Sequence, residues 1–350
     1  MWKSSSIPAG DLAILEDSIR QASRIGIVPH TRPDGDAVGS SLAMRRFITE
    51  CFDGGKEVRI LLDTDMPDAV RFLLTQEEKE QTLVCEKDKE AVAGFLSACD
   101  LLIFPDLNQI SRCGEIAPLL RDHDARRILI DHHPAPDTSA FDLLFSETEV
   151  SSTCELLYHI LVRLAGLRGV TLPKSCLDPL LTGITTDTNN FANSVFSMTL
   201  GTVSELLEAG ADRDTILAHI YESYPERRIR LMGWLLDREL VITEQGVAYM
   251  ILDDDCAKRF GILEGETEGF VNLPLAVDRV KMSLFLRQNG DEFRVSIRSK
   301  KGWSAQRLAR GYFEGGGHEQ ASGGKLRMND KAEAAAWIER CLKEFLAHEQ

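Results

Sequence analysis

The sequence predicts an α/β protein: a doubly wound, mostly parallel sheet joined by a helical linker to a smaller α/β domain with a mixed sheet. Two observations predict this fold. Short apolar runs alternate with helical patterns in the first half, and closely spaced β-runs follow residue 240. Since a chain of 350 residues is long enough for two domains, we expect a catalytic domain over 1–200, a linker over 201–239 and a second domain over 240–350.

The first half contains continuous apolar runs, which are typical of strands buried on both faces of a parallel sheet. The expected strands and helices are, in chain order, helix 11–24, strand 25–30, helix 37–50, and strands 57–62, 101–106 and 127–131. Ser152-x-x-Glu155 predicts a capping box at the start of the next helix. We favour this structural role over a catalytic role for Ser151 to Thr153.

The second half begins with helical patterns over 200–240 that are broken at Pro225. A turn at Gln245-Gly246 and a hairpin around 288–291 then predict β-structure. A glycine-rich loop, 315–318, precedes a final amphipathic helix whose apolar face carries Trp337, Ile338, Cys341, Leu342 and Phe345.

Composition excludes several classes of protein. The net charge of −15 argues against attraction to duplex nucleic acid. No apolar stretch approaches the roughly 20 residues of a transmembrane helix, and the start of the chain lacks a signal-peptide core. Eight cysteines without a C-x-x-C pair predict reduced thiols rather than a zinc ribbon. The expected location is the cytoplasm.

Acids and histidines follow three of the apolar runs. They are His30, Asp34 and Asp36 after the run at 25–29, Asp106 after 101–105, and Asp131, His132 and His133 after 128–130. Because ligands of open α/β sheets bind beyond the carboxyl ends of the strands, these side chains are expected to meet in one crevice as metal ligands.

Each group also has a structural interpretation. Pro33-Asp34-Gly35 is strong turn chemistry, and a lone acid such as Asp106 is often a helix cap. Asp131-His132-His133 is harder to dismiss, because buried polar groups must find partners. Asp187 ends the segment 180–187 and adds a fourth group at what we take to be a matching topological position. Together the four groups favour a metal site.

Three segments of this chain resemble the DHH/DHHA1 phosphoesterase family, and within it the NanoRNase A type. The matching segments are His30-Thr-Arg-Pro-Asp34-Gly-Asp36-Ala-Val-Gly39-Ser40, Asp131-His132-His133 and Gly315-Gly-Gly-His318. They occur in the order found in the family, and the resemblance covers nearly the whole chain.

The resemblance implies two divalent metal ions that activate water for attack on phosphorus. The implied ligands of one ion are His30, Asp34 and Asp106, and those of the other are Asp36, Asp106, His132 and Asp187, so that Asp106 bridges. Carboxylates and imidazoles without thiolate suit Mn²⁺, with Mg²⁺, Co²⁺ or Zn²⁺ as substitutes. His133 is expected to contact the phosphate or protonate the leaving oxygen. Asp131 is expected to orient a histidine.

The second domain is expected to bind the substrate. Arg298 and Ser299 begin a stretch of basic residues close to the glycine loop, which is either a solvated face or a phosphate site, and Arg298 is the strongest candidate because an arginine suits a phosphate. By resemblance, Gly316, Gly317 and His318 bind the terminal phosphate or nucleotide. The family commonly has a fourth glycine where this chain has Glu314, an acid that either alters phosphate affinity or points outward.

The expected function is hydrolysis of short oligoribonucleotides to mononucleotides and of 3′-phosphoadenosine 5′-phosphate (pAp) to AMP. A phosphodiesterase acting on c-di-AMP or the linear dinucleotide pApA is the main alternative. A pyrophosphatase or exopolyphosphatase, or a non-catalytic nucleotide sensor, is a more distant one. The expected partners are these nucleotides, without duplex nucleic acid or membrane, and a homodimer is expected by family analogy alone.

Overall fold

The computed structural model describes residues 3–52, 54–121, 123–263 and 265–347. The chain forms two compact units, Met1–Ser223 and Tyr224–Gln350. The expected boundaries of the catalytic domain, linker and second domain stay predictions.

The first unit is built on a parallel sheet of six strands, in the order β3-β2-β1-β4-β5-β6. The strands are β1 (Arg24–Ile27), β2 (Glu57–Leu62), β3 (Leu83–Val84), β4 (Leu101–Pro105), β5 (Arg126–Asp131) and β6 (Leu143–Ser146). The helices are α1 (Ala9–Gln21), α2 (Gly35–Cys51), α3 (Gln76–Gln81), α4 (Lys89–Leu96), α5 (Thr153–Arg168), α6 (Leu177–Asp187), α7 (Ser197–Ala209) and α8 (Arg213–Tyr221).

Apolar side chains of this sheet pack on both faces, as the predicted doubly wound fold requires. On β4, Leu101 and Ile103 join the core beneath α1, α2, α5 and α6, whereas Leu102 and Phe104 join the core beneath α4. The strand order reverses between β1 and β4, where α/β sheets open a crevice beyond the strand ends.

The second unit contains a mixed sheet of six strands, in the order β11-β12-β10-β9-β8-β7. Only the β8–β9 pair is parallel among the described pairs of this sheet. The elements are α9 (Glu226–Trp234), β7 (Val241–Ile242), β8 (Val247–Leu252), α10 (Asp254–Phe260), β9 (Met282–Asn289), β10 (Glu292–Ser299), α11 (Ala305–Tyr312), β11 (Gly316–Gly317), β12 (Ala321–Leu326) and α12 (Lys331–Ala347). The predicted hairpin around 288–291 is confirmed as β9–β10, with Asn289 paired to Glu292.

Shorter turns of helix connect these elements. Segments of 3₁₀ helix occur at Ser4–Ser6, Asp68–Leu73, Ile110–Leu120, Lys174–Cys176 and Phe270–Ala276, and a π-helical turn at Leu235–Glu239. The predicted element bounds differ from the observed ones by up to three residues, as is usual at element ends. All eight cysteines are free thiols. In the described part of the chain, no helix has the length and apolarity needed to cross a membrane.

Candidate metal centre

The loop between β1 and α2 carries the first predicted ligands. Asp34 is the N-cap of α2, and its Oδ1 accepts hydrogen bonds from the backbone N–H of Asp36 at 3.0 Å and of Ala37 at 3.1 Å. Its Oδ1 also lies 3.9 Å from His30 Nε2. A structural role of Asp34 is therefore compatible with the ligand interpretation, because the same carboxylate caps the helix and faces the histidine.

Asp106 follows β4 and lies at the centre of the cluster. Its Oδ2 lies 3.3 Å from His30 Nε2, and its Oδ1 lies 3.7 Å from His132 Nε2. The residue is buried and has a φ of +61°, in the left-handed region that non-glycine residues seldom adopt. Such strain persists where the surroundings impose it, and it is found most often at functional sites.

Asp131 is the last residue of β5, and the rings of the two histidines that follow it face different partners. The Nε2 atom of His132 faces both Asp106 and Asp187, the latter at 3.4 Å from Oδ2. Nδ1 of His133 lies 2.7 Å from Oδ1 of Asp131, whose side chain is fully buried and also accepts the His133 backbone N–H at 3.1 Å. Asp131 therefore contacts a histidine, in the position expected of an orienting residue.

Asp187 belongs to the same cluster, but a different kind of element carries it from the one predicted. It is the last residue of helix α6, so the expectation of a fourth matching position at a strand end is wrong. A short buried segment of this kind does not distinguish a strand from a helix. The side chain still meets the cluster, because α6 packs on α2 and α5.

The structure thus brings all six predicted metal ligands together. Among the described residues, three overlapping groups have candidate ligand atoms within 4.8 Å of one another: His30, Asp34 and Asp106; Asp36, His132 and Asp187; and Asp106, His132 and His133.

The cluster concentrates negative charge. Burial, together with the charges of Asp106 and Asp34, raises the pKa of Asp36 well above its usual value. Burial and the neighbouring carboxylates likewise raise the pKa of Asp187. Burial alone would raise the pKa of Asp106 as well, but the hydrogen bond and charge of His30 lower it. A cation between these groups would relieve the repulsion that raises the first two values.

The first turn of α5 was missed as part of the site. Ser152 caps the helix by accepting from the Glu155 N–H at 3.0 Å, as predicted, but the reciprocal half of the capping box is wrong. The Glu155 carboxylate instead accepts from the backbone N–H and hydroxyl of Ser151. Thr153, interpreted as purely structural, contacts both Asp36 and Asp106. Its only signal in the sequence was its place at a helix start, where backbone N–H groups lack partners.

Asp63 was also missed. It follows β2 and accepts the hydroxyl of Thr31, which is next to His30, and the backbone N–H of Glu115 at 2.7 Å. Arg32 has a φ of +51°, and its N–H donates to Thr64 Oγ1 at 2.8 Å. These bonds fix the conformation of the loop that presents His30.

In the second unit, the predicted substrate-binding residues lie near one end of the β10-β12-β11 part of the sheet. Arg298 pairs with Ala321 on β12, and the backbone N–H of His318 donates to the Ala321 carbonyl at 2.8 Å. Burial lowers the pKa of Arg298, whose guanidinium donates to the Ile297 carbonyl at 3.0 Å. Ser299 is buried and its hydroxyl donates to the Trp303 carbonyl at 2.6 Å.

The glycine loop is partly explained by packing. Gly316 and Gly317 form the short strand β11, and a Cβ on Gly317 would lie 2.7 Å from the Ala321 carbonyl oxygen. Glu314 is exposed and forms an ion pair with Arg327 at 3.1 Å, so its side chain points outward, while an effect on phosphate affinity stays a prediction. Its φ of +43° explains why a glycine suits this position.

A parallel sheet with carboxylates and imidazoles gathered at its switch point is the arrangement of a metal-dependent α/β hydrolase. Comparison with known families makes this class specific. The family model for the DHH family, N-terminal domain, matches residues 24–184, and the family model for the DHHA1 domain matches residues 245–344. The chain therefore belongs to the DHH/DHHA1 phosphoesterase family.

Three relatives indicate how similar the chain is to known members. The bifunctional oligoribonuclease and PAP phosphatase NrnA of Thermus thermophilus is 30% identical over 324 residues, which are 92% of this chain and 90% of that protein. The crystal structure of an exopolyphosphatase-related protein from Bacteroides fragilis is similar with a TM-score of 0.90, at 30% identity and 98% coverage of both chains. The cyclic-di-AMP phosphodiesterase GdpP of Geobacillus thermodenitrificans is 28% identical over 67% of this chain and 35% of that protein.

Proposed function

We propose that this chain is a phosphoesterase that uses two divalent metal ions, Mn²⁺ in the cell, to hydrolyse short oligoribonucleotides to mononucleotides and pAp to AMP. The observation that carries the proposal is the position of Asp106. Its two carboxylate oxygens face different histidines, His30 through Oδ2 and His132 through Oδ1. One residue so placed is suited to bridge two cations.

The donor set fits hard or borderline divalent ions. Every predicted ligand offers a carboxylate oxygen or an imidazole nitrogen. The nearest thiol, Cys154, is buried beside Asp36, and burial raises its pKa so that it stays protonated. His30, Asp34 and Asp106 would hold one ion, and Asp36, Asp106, His132 and Asp187 would hold the other. Bound ions of this kind lower the pKa of coordinated water and polarise phosphoryl oxygens.

His133 supplies the proton chemistry in this proposal. Its Nδ1 lies 2.7 Å from the buried Asp131 carboxylate, which in this proposal accepts a hydrogen bond from Nδ1–H and so fixes the tautomer and the orientation of the ring. Nε2 is then the ring atom that contacts the phosphate or protonates the leaving oxygen. Asp131 acts through His133 rather than on the substrate.

The second unit supplies substrate recognition. Arg298 is a partly buried cation, and its guanidinium donates a hydrogen bond to the backbone carbonyl of Ile297. A guanidinium in this state is suited to a phosphate, which offers two oxygens to its planar fork. Ser299, Gly316, Gly317 and His318 complete the proposed contacts. The substrates are those named for the NrnA relative, which matches this chain over most of its length.

The proposal is tested with metal-stripped protein reconstituted with Mn²⁺. One assay follows mononucleotide release from a 5′-labelled RNA dinucleotide, and a second follows phosphate release from pAp. We expect turnover of both only with metal, and loss of both in Asp106→Ala. Asp137→Ala is a matched control, since this exposed acid lies outside the metal cluster. Turnover of neither substrate by the reconstituted protein would refute the proposal.

Cyclic-di-AMP hydrolysis is a second candidate because the similarity to GdpP extends over 67% of the chain. The same metal ligands would serve it, so the site alone does not separate the two functions. A comparison of kcat/KM for pAp, an RNA dinucleotide and c-di-AMP does so. We expect c-di-AMP to be the poorest of the three, and the reverse order would favour the phosphodiesterase.

A further inference from the structure

We propose that Thr153 is a positioning residue of the metal centre, which orients the carboxylates of Asp36 and Asp106 before metal binds. The inference rests on the proposed metal site, but it concerns a residue outside the ligand set. It also assigns a role to the first turn of α5 beyond beginning a helix.

The Asp36 carboxylate is bound by the first two amides of α5. Thr153 N–H donates to Oδ2 at 2.7 Å, and Cys154 N–H donates to Oδ1 at 2.9 Å. These amides lack partners within the helix, and the helix N-terminus carries partial positive charge. Asp36 is 1% exposed, so without them its charge would be buried among other carboxylates. Each oxygen keeps a further lone pair for a cation.

The Thr153 side chain binds the second carboxylate. Its Oγ1 donates to Oδ1 of Asp106 at 3.1 Å, and both residues are buried. Asp106 has the left-handed φ of +61°, so its side chain leaves the backbone in an unusual direction that the surroundings must hold. One residue therefore fixes both aspartates, one through its amide and the other through its hydroxyl.

Within the described part of the chain, the turn is anchored by hydrogen bonds among Ser151, Ser152, Glu155 and Thr199, none of which is a proposed ligand. Glu155 accepts from the N–H of Ser151 at 2.7 Å and from the hydroxyl of Thr199, on α7, at 2.8 Å. Ser152 caps the helix. Because this anchoring does not depend on the aspartates, the turn can hold them in place without metal. Preorganised ligands of this kind bind metal more tightly.

Substitution separates the hydroxyl from the helix. Thr153→Val keeps the shape and both backbone amides but removes the donor to Asp106, whereas Thr153→Ser keeps the donor. Thr202→Val is the matched control, because this buried threonine on α7 bonds His159 at 3.1 Å, away from the metal cluster. Thr153→Ala removes the hydroxyl without a branched side chain and tests the same loss if the valine variant fails to fold.

The readout is Mn²⁺ affinity, measured by calorimetry and by the spin resonance of free Mn²⁺, with unfolding in chelator as the measure of the metal-free fold. We expect Thr153→Val and Thr153→Ala to weaken Mn²⁺ binding by about 10–100-fold. Thr153→Ser and Thr202→Val should bind as the wild type does. Wild-type affinity in both hydroxyl-free variants, or equal weakening in Thr202→Val, would overturn the inference. Failure of the wild type itself to bind Mn²⁺ would instead overturn the proposed metal centre.

Discussion

Replacement of Asp106 by Asn should change the number of metal ions bound as well as the rate. Two of the three candidate ligand groups contain Asp106, whereas the group of Asp36, His132 and Asp187 does not. Asparagine keeps the size of the side chain and still accepts the Thr153 hydroxyl through its amide oxygen. It offers one neutral oxygen in place of a bridging carboxylate, and we expect one ion of two to be lost.

The rate should fall much further than the metal count. A metal ion supplies several kcal/mol of transition-state stabilisation, and each 1.4 kcal/mol corresponds to a factor of ten in rate. Loss of about 4 kcal/mol therefore predicts a decrease on the order of a thousandfold. When kcat and KM are measured separately, most of the decrease should be in kcat, because the proposed substrate contacts of the second unit do not include Asp106.

The assay pairs Mn²⁺ counting by elemental analysis with phosphate release from pAp under saturating substrate. Unfolding of the metal-free variant in chelator is the control for folding. Two tightly bound ions in Asp106→Asn, or activity within tenfold of the wild type, would refute the bridging role of this residue.

Three further perturbations test other parts of the structure. In Gly183→Ala the new Cβ would lie 2.6 Å from Asp36 Oδ1, so chemical denaturation should show that the free energy of unfolding falls by about 1–3 kcal/mol. The control is Gly201→Ala, whose Cβ would meet nothing within 4 Å and which should be neutral or stabilising. Glu314→Gly should stabilise the protein by about 1 kcal/mol, because it relieves the positive φ at the cost of an exposed ion pair, and a lower melting temperature would contradict this. Burial lowers the pKa of His159 to about 4 from its usual 6.5. Between these two pH values the histidine is protonated in the unfolded chain but not in the folded one. The free energy of unfolding should therefore fall by up to about 3 kcal/mol as pH decreases from 6.5 to 4. Urea denaturation of His159→Gln should show no such contribution.

The fold and most of the candidate site were predictable because strand ends of a parallel sheet converge. The apolar runs before His30, Asp106 and Asp131 defined three strands, and in the structure all three end at the same edge of the sheet. Local sequence was sufficient here, since continuous apolar runs followed by ligand-type residues carry both the strand and the chemistry.

Other parts depended on packing that local sequence does not encode. Asp187 arrives on a helix, because the run before it is buried on all sides in a helix as it would be in a strand. Thr153 meets Asp36, 117 positions earlier in the chain, through the docking of α5. The Glu155 carboxylate accepts from Ser151 and from Thr199 of α7 instead of closing the predicted capping box. Each of these contacts depends on which helices pack together, and local sequence does not indicate this packing.

The most direct measurement is a titration of metal-stripped protein with Mn²⁺ while phosphate release from pAp is followed. A centre in which two ions share Asp106 predicts that activity rises with the second equivalent of Mn²⁺ per chain and is absent in chelator. Full activity at one equivalent, or any activity in chelator, would contradict it.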